Sequence, residues 1–528
     1  MSPSLFRTRV GIRKAHPLGP MAMCPRRAFE FALCLMFGLA IIALPLNGQA
    51  SLAQQESKWS VAARAEGYAA GTPTPCLVVD QNKTVHAFSY QLVGDTIAVV
   101  YRQWTLADGW SPINDILLAP DGQWVSLIGA FLDKAGTMHL AFFGPIGGQG
   151  VGVYYAHAPA SAAGSSRSWS SPVQVGTMTG ATNRGSLVGD DAGNLFILYN
   201  GTAAGNGISE VHSPDNGRTW SKPSIVYLTN SGNHLAAPIL TYADSAGYVH
   251  VLWTVVGIDG LGQAVYHARL NDDHTTWSQP VVLAARTLYE ADHPAIIEHD
   301  GELFVFYNNG VPIQHWMRRS GNGGKSWSDP VKVFEGWGGE NGPISLVHDS
   351  SGVLHAVFAN RVEELGKEAT HGLWHATWQG DHWSPPEAVV SGPRVTSNQG
   401  EQFDPSFPQA VVSQGNVLLA VWTTDPGPEM GGNGAWFSYT VLNAPELPIV
   451  SLPAGSPTAT PRSLPAPVVP TPIEPTFAPT TLSSHGIDAQ QESSGDSSSP
   501  WVASLIPVFL LLAAFVGTRV VLWNRRSG

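Results

Sequence analysis

Ionisable side chains in this sequence gather just ahead of short apolar segments, at recurring intervals. Arg64, Glu66 and Tyr68 form the first group, then come Arg184 and His234. The densest group is Arg286, Tyr289, Glu290, Asp292 and His293; Glu340 and Asn341 follow, and Arg394, Glu401, Gln402 and Asp404 come last. Paired carboxylates of this kind can serve as acid and base, or as acid and nucleophile, on a glycosidic bond. The competing reading of each residue is a side chain that binds backbone groups where a strand begins, or that faces water.

These groups stand out because the chain is poor in charge. Charged residues make up 13% of its 528 positions, about half the usual share. With 56 Gly, 40 Pro and 18 Trp, the composition disfavours long helices and suits a strand-rich, aromatic-packed domain. The formal charge is -12. No run of Lys or Arg is dense enough to track a phosphate backbone, so nucleic acid is not an expected partner.

The ends carry targeting signals. Basic residues from Arg7 to Arg27, an apolar run from Phe31 to Leu46 and the small residues Ser51-Leu52-Ala53 follow the order of a secretory signal peptide over 1–53. A retained signal anchor is the alternative, though the apolar run falls short of the roughly 20 residues needed to span. Cleavage leaves 22 basic against 39 acidic residues, and Cys76 as the one remaining cysteine, so no intrachain disulfide is expected. At the other end, 500–522 is long and apolar enough to span a bilayer, with Arg525 and Arg526 placing the tail 523–528 in the cytoplasm. Residues 444–499 are rich in Pro, Ser and Thr and read as an extended stalk. The expectation is a single-pass protein of the cell membrane with its functional domain, 57–443, outside the cytoplasm.

What must position the charged groups is a repeat. Trp-Ser followed closely by Pro recurs at Trp110, Trp169, Trp220, Trp277, Trp327 and Trp383, with Trp59-Ser60 as a partial seventh; the intervals are 51, 59, 51, 57, 50 and 56 residues. That period is near the length of a β-propeller blade. Each unit also holds strand-like segments, such as Pro294 to Asp300, Val353 to Phe358 and Ala264 to Ala268, joined by Gly, Asn and Asp turns. Inner strands begin near Cys76, Val125, Gly185, Ala237, His293, Gly342 and Phe407. The last unit lacks a Trp-Ser of its own, and Trp59 precedes the first. The predicted fold is all-β, a seven-bladed propeller in which the N-terminal strand completes the last blade and removes free sheet edges. Six blades, the alternative, leave one unit unexplained.

The turn Ser213-Pro214-Asp215-Asn216-Gly217-Arg218-Thr219-Trp220 resembles the Asp box of the sialidase superfamily; Ser320 to Trp327 repeats it with Asn322, and Asp272 to Trp277 is a poorer copy. These turns join third to fourth strands, opposite the blade-entry loops, which makes Asp215 and Asp272 structural. Sialidases clamp a carboxylate with three arginines, and use a Tyr nucleophile paired with Glu and an Asp acid/base. Arginine suits such a clamp because its planar fork binds carboxylate bidentately. By their place in the blade-entry loops, Asp292, Glu340, Asp404, Tyr289 and Glu401 are the catalytic candidates. Arg64, Arg184, Arg286, Arg394, His293 and Asn341 are the substrate-binding candidates, by location only. The Arg-Ile-Pro motif of that family has no counterpart, since the first inner strand is approached through Gly71-Thr72-Pro73-Thr74-Pro75.

His86, His139, His250 and His355 recur at one position of the second strand and read as repeated core packing, because sheets about 10 Å apart cannot bring four of them to one ion. No metal or cofactor is expected. The functional expectation is a monomeric, membrane-anchored, sialidase-like propeller that binds glycans or glycoconjugates, with exo-glycosidase activity as the enzymatic form. The alternative is a non-catalytic propeller that binds a protein or polymer.

Overall fold

The computed structural model describes residues 58–448, apart from positions 70, 148–149, 180–183, 230–231, 233, 274, 340, 363–367, 393–403 and 425–433. The expected leader, the stalk beyond 448 and the C-terminal span lie outside them. No helix among the described residues is long and apolar enough to cross a membrane.

Seven antiparallel sheets form the domain, six of them from consecutive strands. Blade 1 runs Cys76–Val79, Val85–Val93 and Thr96–Thr105, with Gly109–Trp110 and Asn114–Leu117 sharing its outer edge. Blades 2 to 6 open with Ser126–Leu132, Gly185–Gly189, Leu235–Ala243, Ala291–His299 and Ser345–His348. Blade 7 is built from both ends of the domain: Pro405–Ser413, Val417–Thr424 and Ala435–Val441 take Ala63–Arg64 as their fourth strand, Ala63 opposite Phe437. Each inner strand touches the inner strand of the next blade, and Pro405–Ser413 touches Cys76–Val79. The ring is closed as expected.

Second strands such as Leu195–Thr202 and Leu354–Asn360 are buried along their whole length. Both faces of a blade are covered by neighbours, so these strands are mostly apolar without a polar face. The buried side chains form clusters at the junctions between blades, for example Phe88 with Leu140 between blades 1 and 2, and Leu252 with Val305 between blades 4 and 5.

The recurring tryptophans staple those junctions. Each packs against the blade before its own: Trp169 on Phe88, Trp220 on Tyr155, Trp327 on His267, Trp383 on Phe306 and Trp110 on Phe437. Trp277 joins the cluster between blades 3 and 4. Trp59, from the N-terminal segment, packs edge-on against His375 of blade 6, 5.5 Å between centroids. It does for blade 7 what the other six do for theirs.

The recurring histidines have a specific partner. Asp80, Asp133, Asp244 and Asp349 close the turn between first and second strands by accepting backbone N–H bonds through Oδ1, as from Thr84 and Tyr248 at 2.9 and 2.7 Å. Their other oxygen faces Nε2 of the histidine six residues on, at 3.3, 3.4, 3.1 and 3.3 Å. These buried rings tie a turn to a strand. The Asp215 turn adds a link between blades: Thr219 donates to Asp215 from N and Oγ1, and Asn216 Nδ2 donates to Asp133 of blade 2 at 2.7 Å. The Thr219 bonds foremost, with one from Ser213, hold the Asp215 carboxyl down to about 2. In the poorer copy, Asp273 accepts from Thr276. Asp272, expected in that role, pairs with Arg269 instead.

Candidate functional site

The blade-entry loops and the loops between second and third strands share one face of the ring. On that face the inner strands start irregularly. Blades 4, 5 and 7 each carry a bulge, at Ala236 to Ile239, Asp292 to Ala295 and Ser406 to Gln409. Each bulge contains a proline, Pro238, Pro294 or Pro408, which has no N–H to give to the ladder. Bulges of this kind re-aim the neighbouring side chains.

In blades 5 and 7 the residue before that proline, His293 or Phe407, has a left-handed backbone (φ +52° and +48°). That conformation costs a non-glycine residue about 1–3 kcal/mol and gathers at ligand sites. The equivalent position of blade 6 is Gly342 (φ +110°), where a Cβ would lie 2.9 Å from Phe407 Cα. The missing side chain lets His293 and Phe407 meet, ring centroids 6.0 Å apart. Phe407 remains 49% exposed, so the pair forms an aromatic shelf open to solvent.

Beside the shelf lies a buried polar network. Asp404, 1% exposed, forms an ion pair with Arg361, whose Nε donates to Oδ1 at 3.1 Å and whose Nη2 lies 2.8 Å from Oδ2. Asn341 donates from Nδ2 to Asp404 Oδ1 at 3.2 Å and to the Pro405 carbonyl at 2.7 Å, and its own carbonyl accepts the Phe407 N–H at 2.8 Å. Val362 N–H donates to His371 Nδ1 at 3.2 Å. The imidazole proton therefore sits on Nε2, 3.7 Å from Asp404 Oδ1. Both Asp404 oxygens are engaged, so this carboxylate holds Arg361 and Asn341 in place and, through Asn341, fixes the backbone of Phe407.

The other expected residues fall in three groups. Asp292 is on the same face, its Oδ1 accepting from Thr254 Oγ1 of blade 4 and from the His293 N–H, both at 2.6 Å. Tyr289 is half-buried on the entry loop of blade 5, next to the buried Glu290. Arg286 pairs with Asp259 at 2.5 Å. Against a desolvation that pushes it up, that pairing holds the Asp259 carboxyl below its ordinary range. Arg184 is exposed at the entry to blade 3. Arg64 is exposed on the outermost strand of blade 7, opposite Trp436, and so stands at the rim of the ring. Glu340, Arg394 and Glu401 lie outside the described residues. Asp292, His293, Asn341 and Asp404 are thus gathered over blades 5 to 7. Arg64, Arg184 and Arg286 belong to three different blades, 7, 3 and 4.

Sequence reasoning missed Arg361, His371 and Phe407. Arg361 and His371 bracket the long loop between second and third strands of blade 6, which no repeat marks. Phe407 was read as the start of a strand. Its Pro408, matched by Pro294 and Pro343 after His293 and Gly342, was the available signal.

The fold and this face define the class of protein: a seven-bladed β-propeller whose inner strands start irregularly in blades 4, 5 and 7. No family model matches the chain, and no curated protein matches it. Among solved structures, a protein of unknown function from Dyadobacter fermentans is 13% identical over 71% of this chain and 96% of its own, with a TM-score of 0.43. The NanB sialidase of Streptococcus pneumoniae is 11% identical over 73% and 71%, TM-score 0.41. The intramolecular trans-sialidase of Ruminococcus gnavus is 14% identical over 72% and 97%, TM-score 0.39. Similarity of this extent carries no residue role to this chain.

Proposed function

We propose that this propeller recognises glycans at the mouth over blades 5 to 7. The observation that carries the reading is the His293–Phe407 shelf, a strained and half-exposed aromatic pair set beside the fixed polar groups of Asn341 and Arg361. An apolar platform with a few convergent polar groups is the usual composition of a small-ligand site, and it suits a sugar ring, which offers C–H groups on one face and hydroxyls at its edge. In the hydrolytic form of this reading Asp292, oriented by Thr254, gives its proton to the leaving glycosidic oxygen while water adds to the anomeric carbon and returns a proton to Asp292. The Ser213 to Trp220 turn keeps the form that resembles a sialidase Asp box.

A second reading, a propeller that binds without turnover, is favoured by Asp404: its two oxygens are taken by Arg361 and Asn341, which leaves it a positioning role. Full-length protein assayed against fluorogenic sialosides, other glycosides and immobilised glycans separates the two. Glycan binding that Phe407→Ala abolishes supports the site, and turnover lost in Asp292→Asn supports the enzyme. Absence of glycan binding would sink both forms and leave a protein or polymer ligand.

The display of this domain on a single-pass anchor outside the cytoplasm is part of the same proposal. It is supported by the apolar segments at 31–46 and 500–522. Protease treatment of intact cells tests it: the domain should be shed and the tail 523–528 protected.

A further inference from the structure

The buried histidines of the second strands continue into longer chains, and these differ in the protons they need. In blades 1 and 2, His86 and His139 Nδ1 meet the hydroxyls of Tyr101 and Tyr155 at 2.9 and 2.7 Å. In blades 4 and 6 the partner is another histidine: His250 Nδ1 to His267 Nε2 at 3.0 Å, and His355 Nδ1 to His375 Nε2 at 2.9 Å. Each contact between two nitrogens, or between a nitrogen and a carboxylate, takes one proton. Asp244–His250–His267 has two contacts, and two neutral imidazoles supply two protons. The blade 6 chain has a third contact, because His375 Nδ1 lies 2.8 Å from Glu387 Oε1. Asp349–His355–His375–Glu387 therefore makes all its bonds only when it holds one proton more than its two neutral imidazoles carry.

That chain is the seat of the ring closure. Trp59, 5% exposed, packs edge-on against His375. The same short segment is bonded to blade 7: Ser60 N–H to the Tyr439 carbonyl at 2.8 Å, Thr440 Oγ1 to the Lys58 carbonyl at 3.0 Å, and Ser438 Oγ to the Ser60 carbonyl at 2.7 Å. We propose that the N-terminal segment is a proton-dependent latch, closed most firmly when the Asp349–His355–His375–Glu387 chain holds its single extra proton. Loss of that proton leaves a nitrogen lone pair of the chain facing a carboxylate. Gain of a second one sets two imidazolium rings against each other.

The charged and titratable groups around His375 fit this arrangement. His355 and Asp349 face it from the inner half of blade 6, Glu387 from the outer strand, and Lys58 comes with the latch. His348 acts on His355 and is itself stacked on His299 of blade 5, beside Asp300. Burial first, then His375, holds the His355 imidazole down to about 4. Hydrogen bonding to His375 foremost, against desolvation, and with help from Lys58 and the Trp59 indole, holds Glu387 below the ordinary glutamate range. When the latch leaves, Ala435–Val441 becomes an unpaired sheet edge.

Amide hydrogen exchange of the full-length protein between pH 4 and 9, corrected for intrinsic exchange, tests the latch. Protection of 58–65 should pass through a maximum and fall at least tenfold on both sides, while Leu354–Asn360 stays protected. Glu387→Gln supplies an amide that can donate to His375 Nδ1, so the alkaline fall should vanish and the acid fall remain. Latch protection that is flat with pH, or that follows the rest of the ring, overturns the proposal. So does a Glu387→Gln protein that keeps the alkaline fall. Should that variant not fold, the profile of the unmodified protein still decides.

Discussion

The rings of His293 and Phe407 meet edge to face although they belong to blades 5 and 7, and they do so across the top of Gly342 in blade 6. Three equivalent positions, each followed by proline, have diverged so that the middle one is empty and the outer two fill its space. The contact is possible only because the backbone on both sides is held in a left-handed conformation that neither residue prefers.

Gly342→Ala should therefore dismantle the shelf. Its Cβ would sit 2.9 Å from Phe407 Cα at a φ of +110°, which no rotamer change relieves. We expect glycan binding to weaken at least tenfold and stability to fall by about 1–3 kcal/mol. Phe407→Gly should separate the two effects, because it relieves strain while removing the platform: binding is lost, and the free energy of urea unfolding stays within about 1 kcal/mol of the parent.

Arg361 and Asp404 should behave as a buried pair. Removing one partner leaves an uncompensated charge, and about 3–5 kcal/mol of stability is expected to go in Asp404→Ala or Arg361→Ala. The double variant should lose clearly less than the sum of the two, a coupling that a double-mutant cycle by equilibrium unfolding reads directly. Additive losses would mean that the ion pair is not formed in solution.

How far the sequence told this in advance differs between scaffold and site. The Trp-Ser spacing disclosed seven blades and the role of Trp59, because each staple is a large residue that every junction needs in the same place. The histidines were visible as a repeat, yet their partners were overlooked although Asp80, Asp133, Asp244 and Asp349 precede them at a constant six residues. At the mouth, Asp292, His293, Asn341 and Asp404 were read as one face. Arg361 and His371 were not, since they reach it from a loop whose length and composition belong to blade 6 alone, and periodicity marks what repeats.

Acid should weaken the ring before it weakens its strands. Burial foremost lowers the imidazoles of His139, His267 and His355, the last to about 4, with like charge from the paired histidine adding in blades 4 and 6. A histidine neutral in the folded state and titrating near 6.5 when unfolded leaves the unfolded chain binding more protons below that value, so its share of the stability is full above pH 6.5 and is lost toward pH 4. His355 alone accounts for about 3 kcal/mol across that window. Asp80, Asp133 and Asp244 are held below the ordinary aspartate range by their hydrogen bonds, in spite of desolvation, and their share goes only at lower pH, as those carboxyls protonate. Urea unfolding at pH 7.5, 6, 5 and 4.5 should show a steady decline that His267→Gln makes shallower; a flat profile would mean that these rings are already charged in the native state.

Trp59→Ala offers the sharpest comparison between an end and a middle. A residue at the edge of a domain ordinarily contributes little, since termini fray. Here the indole is more buried than most of the interior staples and fills the junction of blades 6 and 7 together with Leu373, Val389 and Leu418. Its truncation should cost about 3–5 kcal/mol, the same range as Trp277→Ala in the middle of the chain. It should also free Ala435–Val441 as an edge that pairs with other molecules. Equilibrium unfolding measures the first effect and light scattering the second. A Trp59→Ala protein as stable and as monomeric as the parent would show that the ring closes without its N-terminal staple.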